Sequence, residues 1–408
     1  MKVYLKTYGC RANQYDTEAV RAMLADAGAH EVHAPGDADV AIFNSCTVTA
    51  EAEADMRAGV RSAARENPNL RTLVMGCAAG VSGRDESKAA LATLPTVDTL
   101  IPGGDVRAVA AALGLKADGA KRFVQSGARA LLRIQDGCDE HCTFCATTGA
   151  RGSNRSRPID DLIEEAMVLS RIHPEIVVTG IHIGTYGADT GSSLGKLVSE
   201  LVARVPDVRF RLSSVEATEV DETLAALFDH PDRVAPHLHA PLQSGSDRVL
   251  RRMGRHWYTA ESYASSVAKI TGGRDVFGLS ADVIAGFPGE TETDHRLTLD
   301  LVERLPFTSL HVFPYSPRPG TAALRLDGQV PAIVARRRAA ELREVARDKA
   351  RGYALSRMGR ACDVVVTERG KGLTEDYLTV AISDPGIPRR TRFKGVLSSD
   401  SELTAIPA

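Results

Sequence analysis

The chain has 408 residues, 43% of them hydrophobic, which is enough for two or three domains with cores of their own. A formal net charge of −2 excludes a uniformly basic nucleic-acid binder, so any such contact must come from local patches. No run approaches about eighteen uninterrupted apolar residues. The polar start Met1-Lys-Val-Tyr-Leu-Lys6 does not read as a signal peptide, and no membrane partner is expected. Seven cysteines without a secretion signal fit a reducing cytoplasm, where close thiols serve metal or catalysis more often than disulfides.

The expected fold class is α/β with a small terminal β-barrel. In the first segment, residues 1–116, strands are expected at Val3–Tyr8, Val40–Phe43 and Leu70–Met75. Asn13 can cap a helix running to about Ala27, and an acidic-to-basic helix runs from about Thr49 to Glu66. Such alternation implies a parallel sheet with helices on both faces. Asp118–Lys121 and Gln125–Gly127 read as linker. The second segment, 128–355, repeats a strand–helix unit six times, with strands at Ala130–Ile134, Glu175–Thr179, Val208–Ser213, His237–Ala240, Gly278–Ile284 and Ser309–Pro314. Six such units can close partly into a barrel with the working strand ends at one rim. An arginine-rich helix, Val330–Arg351, follows, and a solvated face explains its charge better than a ligand does. The last segment, 360–408, reads as the short strands Asp363–Thr367, Tyr377–Ile382, Thr391–Val396 and Glu402–Ile406, hence a small antiparallel barrel.

Cys138, Cys142 and Cys145 form a C-x3-C-x2-C triad in Gly137-Cys-Asp-Glu-His-Cys-Thr-Phe-Cys145. Three thiolates this close can hold three irons of a cubane cluster and leave the fourth iron open. Zinc usually takes a fourth protein ligand and paired C-x2-C knuckles, so zinc and a disulfide are the weaker readings. The spacing, with an aromatic residue before the last cysteine, resembles that of the radical S-adenosylmethionine (SAM) enzymes. Cys10, Cys46 and Cys77 are distant in sequence, yet each follows an expected strand by a few residues. In a parallel sheet those ends share one side, so the three can converge on a second cluster. The alternative is three unrelated small core residues. Cys362 reads as a buried structural thiol.

Taken with these triads, several motifs resemble the radical-SAM methylthiotransferase family over nearly the full chain. They are Thr7-Tyr-Gly-Cys-Arg-Ala-Asn-Gln-Tyr-Asp-Thr-Glu18, Phe43-Asn-Ser-Cys-Thr-Val48, Gly76-Cys77, the triad segment Ile134–Cys145, Thr179-Gly-Ile-His182, Pro241-Leu-Gln-Ser-Gly-Ser-Asp247 and Gly286-Phe-Pro-Gly-Glu-Thr291. The resemblance implies an N-terminal domain with an auxiliary [4Fe-4S] cluster on Cys10, Cys46 and Cys77. It further implies a radical-SAM partial barrel whose [4Fe-4S] cluster on Cys138, Cys142 and Cys145 binds SAM, and a C-terminal RNA-binding TRAM domain. Ile134-Gln-Asp-Gly137 and Met253-Gly-Arg-His-Trp-Tyr258 are most similar to the MtaB-type branch, which methylthiolates N6-threonylcarbamoyladenosine beside the tRNA anticodon. In that family one SAM yields a 5′-deoxyadenosyl radical, which can open an adenine C–H that acid–base chemistry cannot, and a second SAM methylates the sulfur. An electron donor and a sulfur source are implied partners whose identity the sequence does not carry.

Thr179, Gly180, Ser214, Glu216 and Gln243 lie at barrel strand ends and read equally as SAM contacts or as ordinary loop and cap residues. His182 reads as a polar loop residue, and Glu290 as a helix-start residue. Arg151, Arg155 and Arg157, and Arg389, Arg390, Arg392 and Lys394, form two basic islands that suit a phosphate-tracking surface for a tRNA anticodon loop, or else solvated faces. One departure stands out. Ala146-Thr-Thr-Gly-Ala150 replaces the branched apolar pair and proline usual before Arg-Gly in the family, which bears on the SAM or substrate side of the loop. The competing readings are the isopentenyl-adenosine branch, the branch modifying a ribosomal-protein aspartate, and a non-catalytic iron–sulfur RNA-binding redox sensor.

Overall fold

The computed structural model describes residues 1–47, 50–81, 85–116, 124–399 and 403–407. The expected linker 118–121, the helix start at Thr49 and the strand start at Glu402 lie outside the described residues. Two compact units form. One comprises Met1–Ser126, Gln135–Arg155 and Ser316–Leu324; the other comprises Gly127–Ile134, Ser156–Tyr315 and Arg325–Ala408.

The first unit is built on a five-stranded parallel sheet in the order His30–Val32, Lys2–Thr7, Val40–Ser45, Arg71–Gly76, Val97–Pro102. Val40–Ser45 is buried along its whole length, as a central parallel strand covered on both faces must be. Alternation sends Val40 and Ile42 into one core with Val20, Met23 and Val109, and Ala41 and Phe43 into the other with Met56, Val60 and Leu91. The two strands of this sheet not expected from the sequence, His30–Val32 and Val97–Pro102, are its edges, where half-exposed polar residues erase the apolar run. Asn13 does not cap the first helix. That helix, Arg11–Asp26, starts after Cys10, and Asn13 sits fully buried in its first turn with its side-chain amide donating to Tyr8 O and Ser45 O.

The second unit carries all six expected barrel strands. Ala130–Arg133, Glu175–Thr179 and Arg209–Leu212 form one parallel sheet; His237–His239, Gly278–Ala285 and Ser309–Pro314 form another. Parallel bridges Phe210–Val234 and Ser214–His239 join the two into a partial barrel. The arginine-rich helix spans Ala332–Ser356. Its Arg337 is half-exposed and paired with Glu292 and Glu341, while Arg338 turns inward to Glu290. A closed five-stranded barrel follows, in the order Ala361–Glu368, Lys371–Leu373, Thr379–Ile382, Leu403–Pro407, Arg392–Ser399. It is not wholly antiparallel, because Thr379–Ile382 pairs with Leu403–Pro407 in parallel. Cys362 is buried in its core beside Val364 and Leu397, as expected of a structural thiol.

Glu175, at the foot of the partial barrel, is the ionic anchor of this unit. Its carboxylate is wholly buried and meets Arg209 at 2.7 Å, Arg211 at 2.8 Å and Arg129 at 3.3 Å. Arg209 also donates to Asp363 O, and Arg211 to Thr374 O and Glu375 O, so one carboxylate organises the cations that hold the terminal barrel's backbone. Burial would raise its pKa, but the guanidinium groups overcome this and hold Glu175 well below the ordinary carboxylate range. Its stabilisation is therefore complete above the unfolded-chain pKa of about 4.3 and is lost as pH falls through the lower folded value. Glu175→Gln leaves the arginines without their counter-charge, and urea unfolding of the cluster-loaded full chain at pH 7 should show a loss of about 3–5 kcal/mol.

Candidate metal centres and cofactor site

Within the first unit, Cys10, Cys46 and Cys77 each follow one of three adjacent sheet strands at the same side of the sheet. Asn13 gathers them. Its amide nitrogen binds the backbone at the ends of the first and third strands of the chain, and its Oδ1 lies 3.6 Å from Cys10 Sγ and 3.8 Å from Cys77 Sγ. Ser45 secures the third loop by donating to Met75 O and accepting from Ala78 N. The glycines before two of the cysteines have steric reasons. At Gly9, with φ +98°, an added Cβ would meet the Cys46 side chain, and at Gly76, with φ +100°, it would meet Asn44 Oδ1 and Ser45 O.

Arg151 lines this site and is buried there, which corrects its reading as a surface cation. It is 5% exposed, with Nε 3.4 Å from Cys77 Sγ and a terminal nitrogen 2.8 Å from Asn13 Oδ1 and 2.7 Å from Asp16. Its other terminal nitrogen lies 3.4 Å from Asp136. Burial pushes the Cys77 thiol up to about 12 and Arg151 opposes the shift, so an ionised sulfur here needs a bound cationic partner.

The loop of Cys138, Cys142 and Cys145 belongs to the same unit, and all three cysteines are half-buried. Cys138 N donates to Gly152 O, Cys145 N to Cys142 O, and Thr147 N to Cys145 Sγ at 3.3 Å. The unusual Ala146–Ala150 stretch is now explained locally. Thr147–Arg151 is a short helix packed on the helix Cys77–Gly80, and a Cβ at Gly80 would stand 3.0 Å from Ala150 O. Small residues permit that approach, and it carries Arg151 to Cys77. Arg318 was not singled out in the sequence. It donates to Thr47 O beside Cys46, and its neighbour Ala323 donates to Thr143 O in the cluster loop.

In the second unit, Thr179 closes its strand with its carbonyl accepting from Ile134 N, and Gly180 follows half-buried. Ser214 bridges to His239. Gln243 holds φ +63°, a strained conformation for a residue with a side chain, fixed by backbone bonds to Asp282 O and Ile284 N. Glu216 is buried, with one carboxylate oxygen accepting from Arg255 and the other from Trp257 Nε1. Burial raises its pKa while Arg255 opposes the rise. His182 Nε2 stands 2.8 Å from Glu219, the capping partner of Glu216. Glu290 is more than a helix-start residue. Thr291 is the cap, and the buried Glu290 carboxylate accepts from Gly286 N and Arg338, closing the Gly-Phe-Pro-Gly turn.

The basic islands divide. Arg157 is paired with Glu165, Arg392 with Asp363, and Arg390 donates to Gly127 O, so these three serve the fold. Arg155, Arg389 and Lys394 keep exposed side chains, though Lys394 pairs with Asp232 at 3.0 Å. A cavity of about 470 Å³ in the same unit is lined by Asp232 and Asp363 as well as Arg392 and Lys394, a balance of signs that does not favour phosphate.

Residues 2–101 match the family described as uncharacterized protein family UPF0004, and residues 132–302 match the radical SAM superfamily. The chain is 36% identical to the threonylcarbamoyladenosine tRNA methylthiotransferase MtaB of Thermotoga maritima, over 85% of this chain and 82% of that one. It is 34% identical to the enzyme of the same name from Bacillus subtilis, over 94% and 88%. It is also 30% identical to the tRNA-2-methylthio-N(6)-dimethylallyladenosine synthase of Ehrlichia canis, over 90% and 88%. The chain belongs to the radical-SAM tRNA methylthiotransferases. In fold it is also similar to the radical S-adenosylmethionine methyltransferase TsrM from Kitasatospora setae, with TM-score 0.59 and 14% identity over 79% of this chain and 76% of that one.

The methylthiotransferase residues fit the clusters the family uses. The three converging cysteines would offer such a cluster three ligands, and the Arg151 guanidinium would offset the negative charge that three thiolates bring. The arrangement at Gly9 makes a sharp prediction. Gly9→Ala would force the Cys46 side chain aside, so the anaerobically reconstituted variant should hold about four irons per chain against about eight in the parent, by iron analysis.

Proposed function

We propose that this enzyme converts N6-threonylcarbamoyladenosine beside the tRNA anticodon into its 2-methylthio derivative. The observation that carries the reading is the pair of three-cysteine sites in one unit, the first of them supported by Asn13 and Arg151. The relatives named for threonylcarbamoyladenosine support the choice of nucleoside, at 36% and 34% identity against 30% for a dimethylallyl relative. We divide the chain into a cluster-bearing α/β domain at 1–116, a radical-SAM partial barrel at 128–355 and a TRAM-like barrel at 360–408. The site of action is the cytoplasm, where tRNA is found; among the described residues no helix is long and apolar enough to cross a membrane.

Cys138, Cys142 and Cys145 would hold the cluster that binds SAM, and Cys10, Cys46 and Cys77 the auxiliary cluster that carries sulfur. Together these cofactors supply the radical and the sulfur, chemistry that no side chain of the protein can perform. The protein's part is placement. Thr179, Gly180, Ser214 and Gln243 offer backbone and short polar groups at the barrel strand ends, where a SAM methionine and ribose can be held. Glu216 acts as a positioning residue, fixing Arg255 and Trp257 there. Arg155 and Arg389 offer phosphate contacts, and an anticodon loop can present its base unstacked. An electron donor and a sulfur source are the further partners this reading requires.

Nucleoside mass spectrometry of tRNA from cells lacking the gene tests the assignment. The 2-methylthio mark on threonylcarbamoyladenosine should vanish and the unmodified nucleoside accumulate; loss on the isopentenyl nucleoside instead would reassign the substrate. In the purified enzyme, Cys46→Ala should retain reductive SAM cleavage, read as 5′-deoxyadenosine, while sulfur insertion falls below detection. Loss of both activities in a folded variant that keeps the first cluster would refute this division of labour.

A further inference from the structure

Strand register gathers an unassigned donor set on the second sheet of the partial barrel. Ser280 and Asp282 are two residues apart on the central strand Gly278–Ala285, so they share a face. Register pairs Ser280 with His239 on one flanking strand and Asp282 with His311 on the other. One ligand atom each from His239, Asp282 and His311 lies within 4.8 Å of the others.

The spacing is informative. Asp282 Oδ2 stands 3.3 Å from His239 Nε2, and its other oxygen, Oδ1, stands 3.2 Å from His311 Nδ1. Direct charge-assisted hydrogen bonds are shorter, about 2.7–2.9 Å. Donors each about 2.1 Å from a tetrahedral ion would stand about 3.4 Å apart, close to both His–Asp spacings, with each histidine facing a different oxygen of the carboxylate. His239 Nδ1 lies 2.9 Å from Ser280 Oγ. With Nδ1 donating to that hydroxyl, Nε2 turns its lone pair toward Asp282, as a ligating histidine with a supporting outer partner does. The His311 side chain is 59% exposed, which gives an ion a path in and leaves a coordination position for water or a substrate oxygen.

We propose that His239, Asp282 and His311 form a binding site for a divalent transition-metal ion of the zinc type, using none of the cysteines. The site rests on strand register and does not depend on the proposed nucleoside substrate.

Equilibrium dialysis of the anaerobic, cluster-loaded full chain against micromolar zinc, with metal analysis of zinc and iron together, tests it. The parent should bind about one zinc per chain without losing iron, and Asp282→Asn and His311→Ala should each weaken binding roughly tenfold or more with iron unchanged. Asp282→Asn conserves shape and His311 is exposed, so urea midpoints should show both variants folded. Failure of the parent to take up zinc, or equal uptake by parent and both folded variants, overturns the proposal.

Discussion

Parallel strands all end on the same side, and the first unit depends on that constraint. Cys10, Cys46 and Cys77 are each placed just beyond one of three adjacent strands, so forming the sheet is what brings their sulfurs together. Asn13 and Arg151 then convert proximity into a fixed site. Asn13 ties the strand ends through its amide and faces two sulfurs with its oxygen. Arg151 reaches the same oxygen from the helix after the other cysteine triad. A cation at that point, paired with Asp16, joins two cysteine sets that are 61 residues apart at their nearest members, Cys77 and Cys138.

The barrel unit solves a comparable problem with charge. Three arginines around Glu175 would repel one another in a dry interior, and the single carboxylate makes their burial tolerable. Further donors of Arg209 and Arg211 bind backbone carbonyls of the terminal barrel, so that barrel's position depends on the same ion cluster. Arg392 belongs to this scheme through Asp363. That is why part of a basic island in the sequence turns out to be structural. The exposed cations left for RNA are fewer than the sequence suggests.

Much of the fold was legible because the central strands are nearly continuous apolar runs between turn residues. Glu175–Thr179 and Ser309–Pro314 fall where they were expected to the residue. The edge strands were not, since His30–Val32 and Val97–Pro102 mix polar and apolar residues and gain their form from pairing alone. The cysteine sites were legible from spacing and strand ends. Their supports were only partly so. Asn13 and Asp16 sat in view, three residues apart and hence on one helical face, but a buried asparagine and a capping asparagine look identical in sequence.

The sequence by itself determined the chemistry, because the cysteine triads and the motifs around them are local patterns that need no long-range information. Tertiary structure alone decided which charges serve the fold and which face solvent. Arg151 and Arg155 are four residues apart and equally basic, yet one is buried against Cys77 and the other is exposed. The difference lies in the partners that distant segments bring, Asp16 and Asn13 for Arg151, and pairing over such separations is not written in the residues beside it. The set of His239, Asp282 and His311 arises in the same way, because three residues scattered over 73 positions meet only when register aligns their strands.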